Sequence, residues 1–122
     1  YAILDRDDEN HRAAGSIWKK LLQSDAILVT NNYVLLETFA LVQHRLGLDA
    51  LRTFHQQIVP LFTVEWITEG QHESAIAAVL AASRKKLSLV DWASFAVMRG
   101  AGIQKAFAFD RHFVEQGFEC RL

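Results

Sequence analysis

The sequence predicts an α/β domain organised around a largely parallel sheet, and three observations lead there. Runs rich in β-branched and aromatic residues, at Ala26-Ile27-Leu28-Val29-Thr30, Leu61-Phe62-Thr63-Val64-Glu65-Trp66 and Lys105-Ala106-Phe107-Ala108-Phe109, alternate with stretches of helical periodicity. A chain of 122 residues, 51% of them hydrophobic, has room for one core and not for two. No repeat, low-complexity run or linker interrupts the alternation, so strands joined by right-handed helical crossovers are the simplest architecture.

Each element has a local reason. Tyr1-Ala2-Ile3-Leu4 is a short apolar start, and the polar loop after it offers Asp7 or Asp8 as the cap of a first helix. That helix buries Ala13, Ala14, Ile17, Trp18, Leu21 and Leu22, and the acids before it fit a solvated helix start better than a metal site. Residues 26–30 form a continuous apolar run, as in a strand covered on both faces. Asn31 or Asn32 caps the next helix and Gly47 ends it. A further helix over 48–59 is stopped by Pro60, and the second strand follows over 61–66.

The second half repeats the pattern. Thr68-x-x-Gln71 has the form of a capping box and opens an alanine-rich helix that runs to about Ser83. After the basic link Arg84-Lys85-Lys86, Ser88-x-x-Asp91 resembles a second capping box, opening the helix of Trp92, Phe95, Ala96 and Met98 that ends at Gly100 and Gly102. The third strand, a helical turn over 111–116 and a last strand over 118–122 complete the chain. Trp18, Phe54 and Trp66 are expected inside.

The bulk numbers exclude some functions. A net charge of -1 rules out a histone-like role, so a polyanionic substrate has to be held locally. The single cysteine, Cys120, cannot form an intramolecular disulfide and is read as a buried structural thiol, which fits a reducing, cytoplasmic compartment. No apolar run approaches the ~20 residues of a membrane span, and no basic leader precedes an apolar signal core.

Chemistry is carried by three acids in apolar surroundings: Glu37 within Val34-Leu35-Leu36-Glu37-Thr38-Phe39, Asp91 within Leu89-Val90-Asp91-Trp92, and Asp110 after Phe107-Ala108-Phe109. A helix apolar nearly all round belongs in a core. An unpaired carboxylate buried there would cost several kcal/mol, so Glu37 is expected to meet a partner or a cation. In a parallel α/β sheet, helices that follow strands begin at the carboxyl edge where ligands bind. Glu37 lies about five residues into its helix at ~1.5 Å per residue, Asp91 sits in a first turn and Asp110 ends a strand, so all three can meet on one side. Each also has an ordinary explanation: Glu37 on an exposed face or paired with Arg45, Asp91 as the closing residue of its capping box, Asp110 as a turn cap. His11, His44, His55, His72 and His112 are scattered without the spacing of a zinc helix. There is no Gly-rich phosphate loop and no Gly-x-Ser-x-Gly elbow.

The succession of Thr30-Asn31, Val34-Leu35-Leu36-Glu37-Thr38, Leu87-Ser88-Leu89-Val90-Asp91 and Ala108-Phe109-Asp110-Arg111-His112-Phe113, ending in Gly117-Phe118, resembles PIN-domain ribonucleases, especially the VapC-type toxins of toxin–antitoxin pairs. The match runs nearly the whole chain in order. It implies a PIN-like three-layer α/β/α fold with a mainly parallel sheet over 1–122, an acidic pocket for Mg²⁺ or Mn²⁺, and endonucleolytic cleavage of RNA. Carried over, Glu37, Asp91 and Asp110 become the catalytic, metal-binding carboxylates, and Ser88 a helix cap beside them. A homodimer through helical faces and an antitoxin whose peptide covers the pocket are further implications.

One departure stands out. The family opens on a strand ending in an aspartate, whereas this chain opens at Tyr1, which resembles the residues just after that motif; the expected reading is a truncated start, because loss of a central strand would expose the edges of its neighbours. Asp5, Asp7 and Asp8 match the family's loop and first helix and do not fill the position, and His112 stands where relatives often carry another acid. Arg84, Lys85, Lys86, Arg111 and His112 are the basic groups expected to hold RNA. Two alternatives remain from other classes. One is a catalytically inactive PIN-like scaffold acting as an RNA- or protein-binding module. The other is a receiver-type domain with a phosphorylated aspartate, for which Lys105 is poorly placed because it starts a strand.

Overall fold

The structure is a computed structural model describing residues 6–24, 27–82, 87–103, 105–106 and 119–120. Its elements run α1 (His11–Gln23), β1 (Val29–Asn31), α2 (Asn32–Leu46), α3 (Leu48–Thr53), β2 (Thr63–Glu65), α4 (Glu69–Ala82), α5 (Leu89–Gly100), β3 (Lys105–Ala106) and β4 (Glu119–Cys120). They gather into two compact units, one holding α1, α3, β1 up to Thr30, α2 from Leu35 and the chain to Val64, the other holding Asn31–Val34 and Glu65–Arg121.

In the first unit the helix starts and stops follow local chemistry. Asn10, and not Asp7 or Asp8, occupies the N-cap of α1, without a side-chain cap bond. Asp8 acts one step earlier: its Oδ1 accepts from the Asn10 amide at 2.8 Å and its carbonyl from the His11 amide at 3.0 Å, which turns the chain into the helix. Of the predicted apolar face, Ala14 is buried while Ala13 and Leu22 are exposed. Trp18 stacks on Phe62 with ring centroids 5.8 Å apart, and Phe39 meets Phe54 edge to face at 5.2 Å.

The helix expected over 48–59 changes character before Pro60. Regular α-helix ends at Thr53, a π-helical turn covers Phe54–Ile58, and a tight 3-10 turn Val59–Leu61 takes in Pro60. Proline lacks the amide hydrogen and its ring opposes the carbonyl four residues back, so regular helix cannot run through it. Both neighbouring strands are shorter than expected. Among the described residues β1 and β2 pair with each other, with the Thr63 amide donating to the Leu28 carbonyl at 2.7 Å. Ile27 is 81% exposed, so the 26–30 run is not a strand covered on both faces.

The second unit is better buried. Both predicted capping boxes form: the Thr68 amide donates to Gln71 Oε1 at 2.9 Å while the Gln71 amide donates to Thr68 Oγ1 at 3.2 Å. The Ser88–Asp91 box opens α5, which packs on α4. Leu87, Phe95 and Met98 form the core here, with Trp92 and Ile103 against it. The end of α5 is a Schellman arrangement, in which the Ile103 amide donates to the Met98 carbonyl at 2.7 Å and the Gly102 amide to the Arg99 carbonyl at 3.3 Å. Gly102, at φ 70°, supplies the left-handed residue this turn needs, and Ile103 lands on the core beside Met98. β3 and β4 pair in parallel, Lys105 opposite Glu119 and Ala106 opposite Cys120. Trp66, expected inside, is 71% exposed. Among the described residues no helix is long and apolar enough to cross a membrane.

Candidate active site

Asp91 is the site residue whose position the structure explains most fully. The Ser88 amide donates to its Oδ2 at 3.1 Å, and its own amide donates to Ser88 Oγ at 3.2 Å, so the carboxylate is held over the first turn of α5. The ordinary role weighed for this residue is therefore real. It does not exhaust the group, since a carboxylate has about four acceptor positions and the cap uses one of them.

Glu37 takes the first of its two ordinary explanations and not the buried one. It lies on an exposed face of α2 beside Leu36, itself 71% exposed, and Val42 is the buried residue of that helix. A hydrated carboxylate carries no desolvation penalty, so burial gives Glu37 no need of a partner. Nor does it pair with Arg45: among the described residues Glu37 has no ion-pair partner. What remains is an accessible anionic side chain on the helix that begins where β1 ends. Asp110 lies outside the described residues, as do the expected RNA-holding groups Arg84, Lys85, Lys86, Arg111 and His112. Among the described residues no three His, Cys, Asp or Glu side chains gather as a metal centre.

Sequence reasoning missed a polar clamp at the start of α2. Asn31, 3% exposed, uses both ends of its amide: Oδ1 accepts from the Tyr33 and Val34 amides, each at 3.0 Å, and Nδ2 donates to Ser94 Oγ on α5 at 3.0 Å. Asn32 Oδ1 accepts from the Ile67 amide at 2.6 Å, and the Tyr33 hydroxyl is bonded to His72 Nδ1 on α4, the two rings standing edge to face. Three consecutive side chains thus reach α5, the segment before α4, and α4. The available signal was the doubled asparagine, because one cap needs only one of them.

Comparisons with known proteins give the family. The PIN domain model matches residues 1–119. The 23S rRNA-specific endonuclease VapC20 of Mycobacterium tuberculosis, from strains CDC 1551 / Oshkosh and ATCC 25618 / H37Rv, is 33% identical over 118 residues, covering 96% of this chain and 88% of the relative. The crystal structure of Mycobacterium tuberculosis VapC20, described as a Sarcin-Ricin loop cleaving toxin, superposes with a TM-score of 0.83 at 33% identity, over 96% of this chain and 88% of that one. The α/β reading is therefore that of the PIN fold, with β3 and β4 a parallel pair within it. The chain belongs to the PIN-domain family and resembles its VapC-type members along nearly its whole length.

Proposed function

We propose that this chain is a Mg²⁺- or Mn²⁺-dependent endoribonuclease that hydrolyses RNA phosphodiester bonds, acting as a toxin restrained by a cognate antitoxin in the cytoplasm. The observation that carries the reading is Asp91, held in place by its capping box in a PIN chain 33% identical to an rRNA endonuclease. The donor set fits a hard cation: Glu37 and Asp91 offer carboxylate oxygens and are exposed and half-buried respectively. Asp110 is proposed as the third ligand on the resemblance alone. When bound, such a cation supplies a water activated at neutral pH and relief for charge growing on the phosphate and the leaving oxygen. The chain's own part is to hold the carboxylates. Asp91 is oriented by two hydrogen bonds to Ser88, and Glu37 projects from α2 into solvent.

Ribosomal RNA is the first substrate to try, given what the relative acts on. A homodimer and a bound antitoxin peptide are proposed on the resemblance to VapC-type proteins, and exposed Leu36 on α2 is a side chain that either could cover. The test is manganese-dependent cleavage of a panel of RNAs that includes 23S rRNA, with Asp91→Asn as control, beside melting curves over millimolar Mn²⁺. A cation that binds the native state stabilises it by linkage, so the melting temperature should rise with Mn²⁺, and the rise should shrink in Asp91→Asn and in Glu37→Gln. A melting curve indifferent to Mn²⁺, with no RNA cut, would sink the proposal.

A further inference from the structure

We infer that the solvent face of α1 is a surface for the RNA backbone, taking phosphates on Arg12, Lys19 and Lys20 beside a groove opened by Gly15. This rests on the nuclease reading above and deepens it by assigning where the substrate's charge is held. α1 carries three of the chain's 13 lysines and arginines and none of its 14 acids. The positive charge is therefore local, in a chain whose net charge of -1 draws no polyanion as a whole.

Helical spacing orders the face. Arg12, Ser16, Lys19 and Gln23 follow one another at steps of four, three and four, so they stand in one exposed line along the helix. Lys20 flanks the line, and these five residues with Gly15 border an open groove. The other side of α1 is the packed one, where Ala14 is buried and Trp18 stacks on Phe62. Two residues of the face work against the helix that carries them. Arg12 puts a cation in the first turn, where the helix dipole favours acids and none is present; Asp7, Asp8 and Glu9 all precede the helix. Gly15 weakens a helix interior relative to alanine, yet a Cβ there would meet nothing within 4 Å, so packing gives no reason for it. Departures from local rules that packing does not explain are expected at functional positions. Among the described residues no ion pair neutralises Arg12, Lys19 or Lys20. Arg12 and Lys19 are about 10.5 Å apart along the axis at ~1.5 Å per residue, close to three steps of a stacked nucleic-acid strand at ~3.4 Å each. The line offers guanidinium, ammonium, hydroxyl and amide donors, the groups that bind phosphate oxygens. A docked amphipathic peptide would need apolar anchors, and the line has none, with half-exposed Leu22 only at its border.

The experiment uses the whole chain in EDTA, so that RNA is bound and not cut, and follows the anisotropy of a fluorescein-labelled 23S rRNA fragment across KCl concentrations. The triple variant Arg12→Gln, Lys19→Gln and Lys20→Gln should raise Kd about 10-fold or more at low salt and reduce the slope of log Kd against log salt by about 2 to 3, near one for each phosphate contact. Lys19→Gln alone should reduce it by about 1, and Lys19→Arg should restore it. Arg52→Gln removes an equal charge from a side chain already paired with Asp49 at 3.3 Å, and should leave the slope as in wild type. All these positions are exposed, so melting temperatures should stay near that of wild type. A wild-type slope in the triple variant, or equal drops in Lys19→Gln and Arg52→Gln, would overturn the inference, as would wild type that binds no RNA. So would tighter binding of a fluorescein-labelled oligoglutamate than of the RNA, lost in the triple variant, which would make the face a site for an acidic peptide. Wild type that gives the expected slopes in EDTA and cuts no RNA with manganese removes the nuclease reading and leaves the surface standing. Cleavage with manganese beside an unchanged slope in the triple variant does the opposite.

Discussion

Helices α2 and α5 are both apolar stretches with one acid near the start, yet they are treated very differently. α5 buries Ala93, Ser94, Phe95, Val97 and Met98, whereas α2 buries Val42 and leaves Leu36 71% exposed. The difference lies in how the apolar residues are spaced and what is built at each end. α5 places Phe95 and Met98 on one face, closes its start with a capping box and its end with a Schellman turn, and has Leu87 and Ile103 flanking the core. α2 spreads Val34, Leu35, Leu36, Phe39, Ala40, Leu41 and Val42 around its whole circumference, so no single packing surface can cover them all. Apolar content alone therefore does not say which acid is buried. It is the better-packed helix that holds its carboxylate by hydrogen bonds, and the exposed one that offers its carboxylate to solvent.

From that contrast, the largest effect is expected in the core of α5. Phe95→Ala removes a ring that is fully buried and packed on Trp92 at 5.9 Å, and should cost about 3–5 kcal/mol. Urea unfolding followed by tryptophan fluorescence measures this directly. A loss below about 1 kcal/mol would place the α5 core on a par with α2 and break the comparison.

The next pair of substitutions separates the two duties of the Asp91 turn. Asp91→Asn keeps an oxygen that can accept from the Ser88 amide, so stability should hold while RNA cleavage falls by about 100-fold or more, as when a charged group leaves a reacting centre. Ser88→Ala does the reverse. It removes the acceptor of the Asp91 amide, costs about 1 kcal/mol of stability and leaves most of the cleavage rate in place. Equal losses of activity in both would mean that the cap, and not the charge, is what Asp91 contributes.

These outcomes bear on what was legible in the residues themselves. Both capping boxes, the cap at Asn31 and the glycine closing α5 are chemistry within a few positions, and such chemistry is written in the local sequence. The exposure of Trp66 was not legible, and that of Glu37 was legible only as one of two alternatives, because burial depends on what packs from elsewhere in the chain. The π-helical turn before Pro60 was half legible: proline announces that the α-helix must end, without saying how the backbone adjusts. The second duty of Asn31 was hidden for a plainer reason, since Ser94 is 63 positions away and nothing local points to it.

The smallest expected effect sharpens the other side of the comparison. Leu36→Ser removes an apolar side chain that is 71% exposed, so the stability of the folded chain should change by no more than about 0.5 kcal/mol. Solvent-facing leucine costs nothing to lose from the fold, but it can matter to a partner that covers it. Sedimentation velocity across a concentration series is the sensitive readout: if the apolar face of α2 contributes to self-association, the substitution should shift the dimer population toward monomer while the melting temperature of the dilute protein stays put. A melting temperature that falls with Leu36→Ser as far as with a core substitution would show that α2 is packed after all, and that its exposure does not distinguish it from α5.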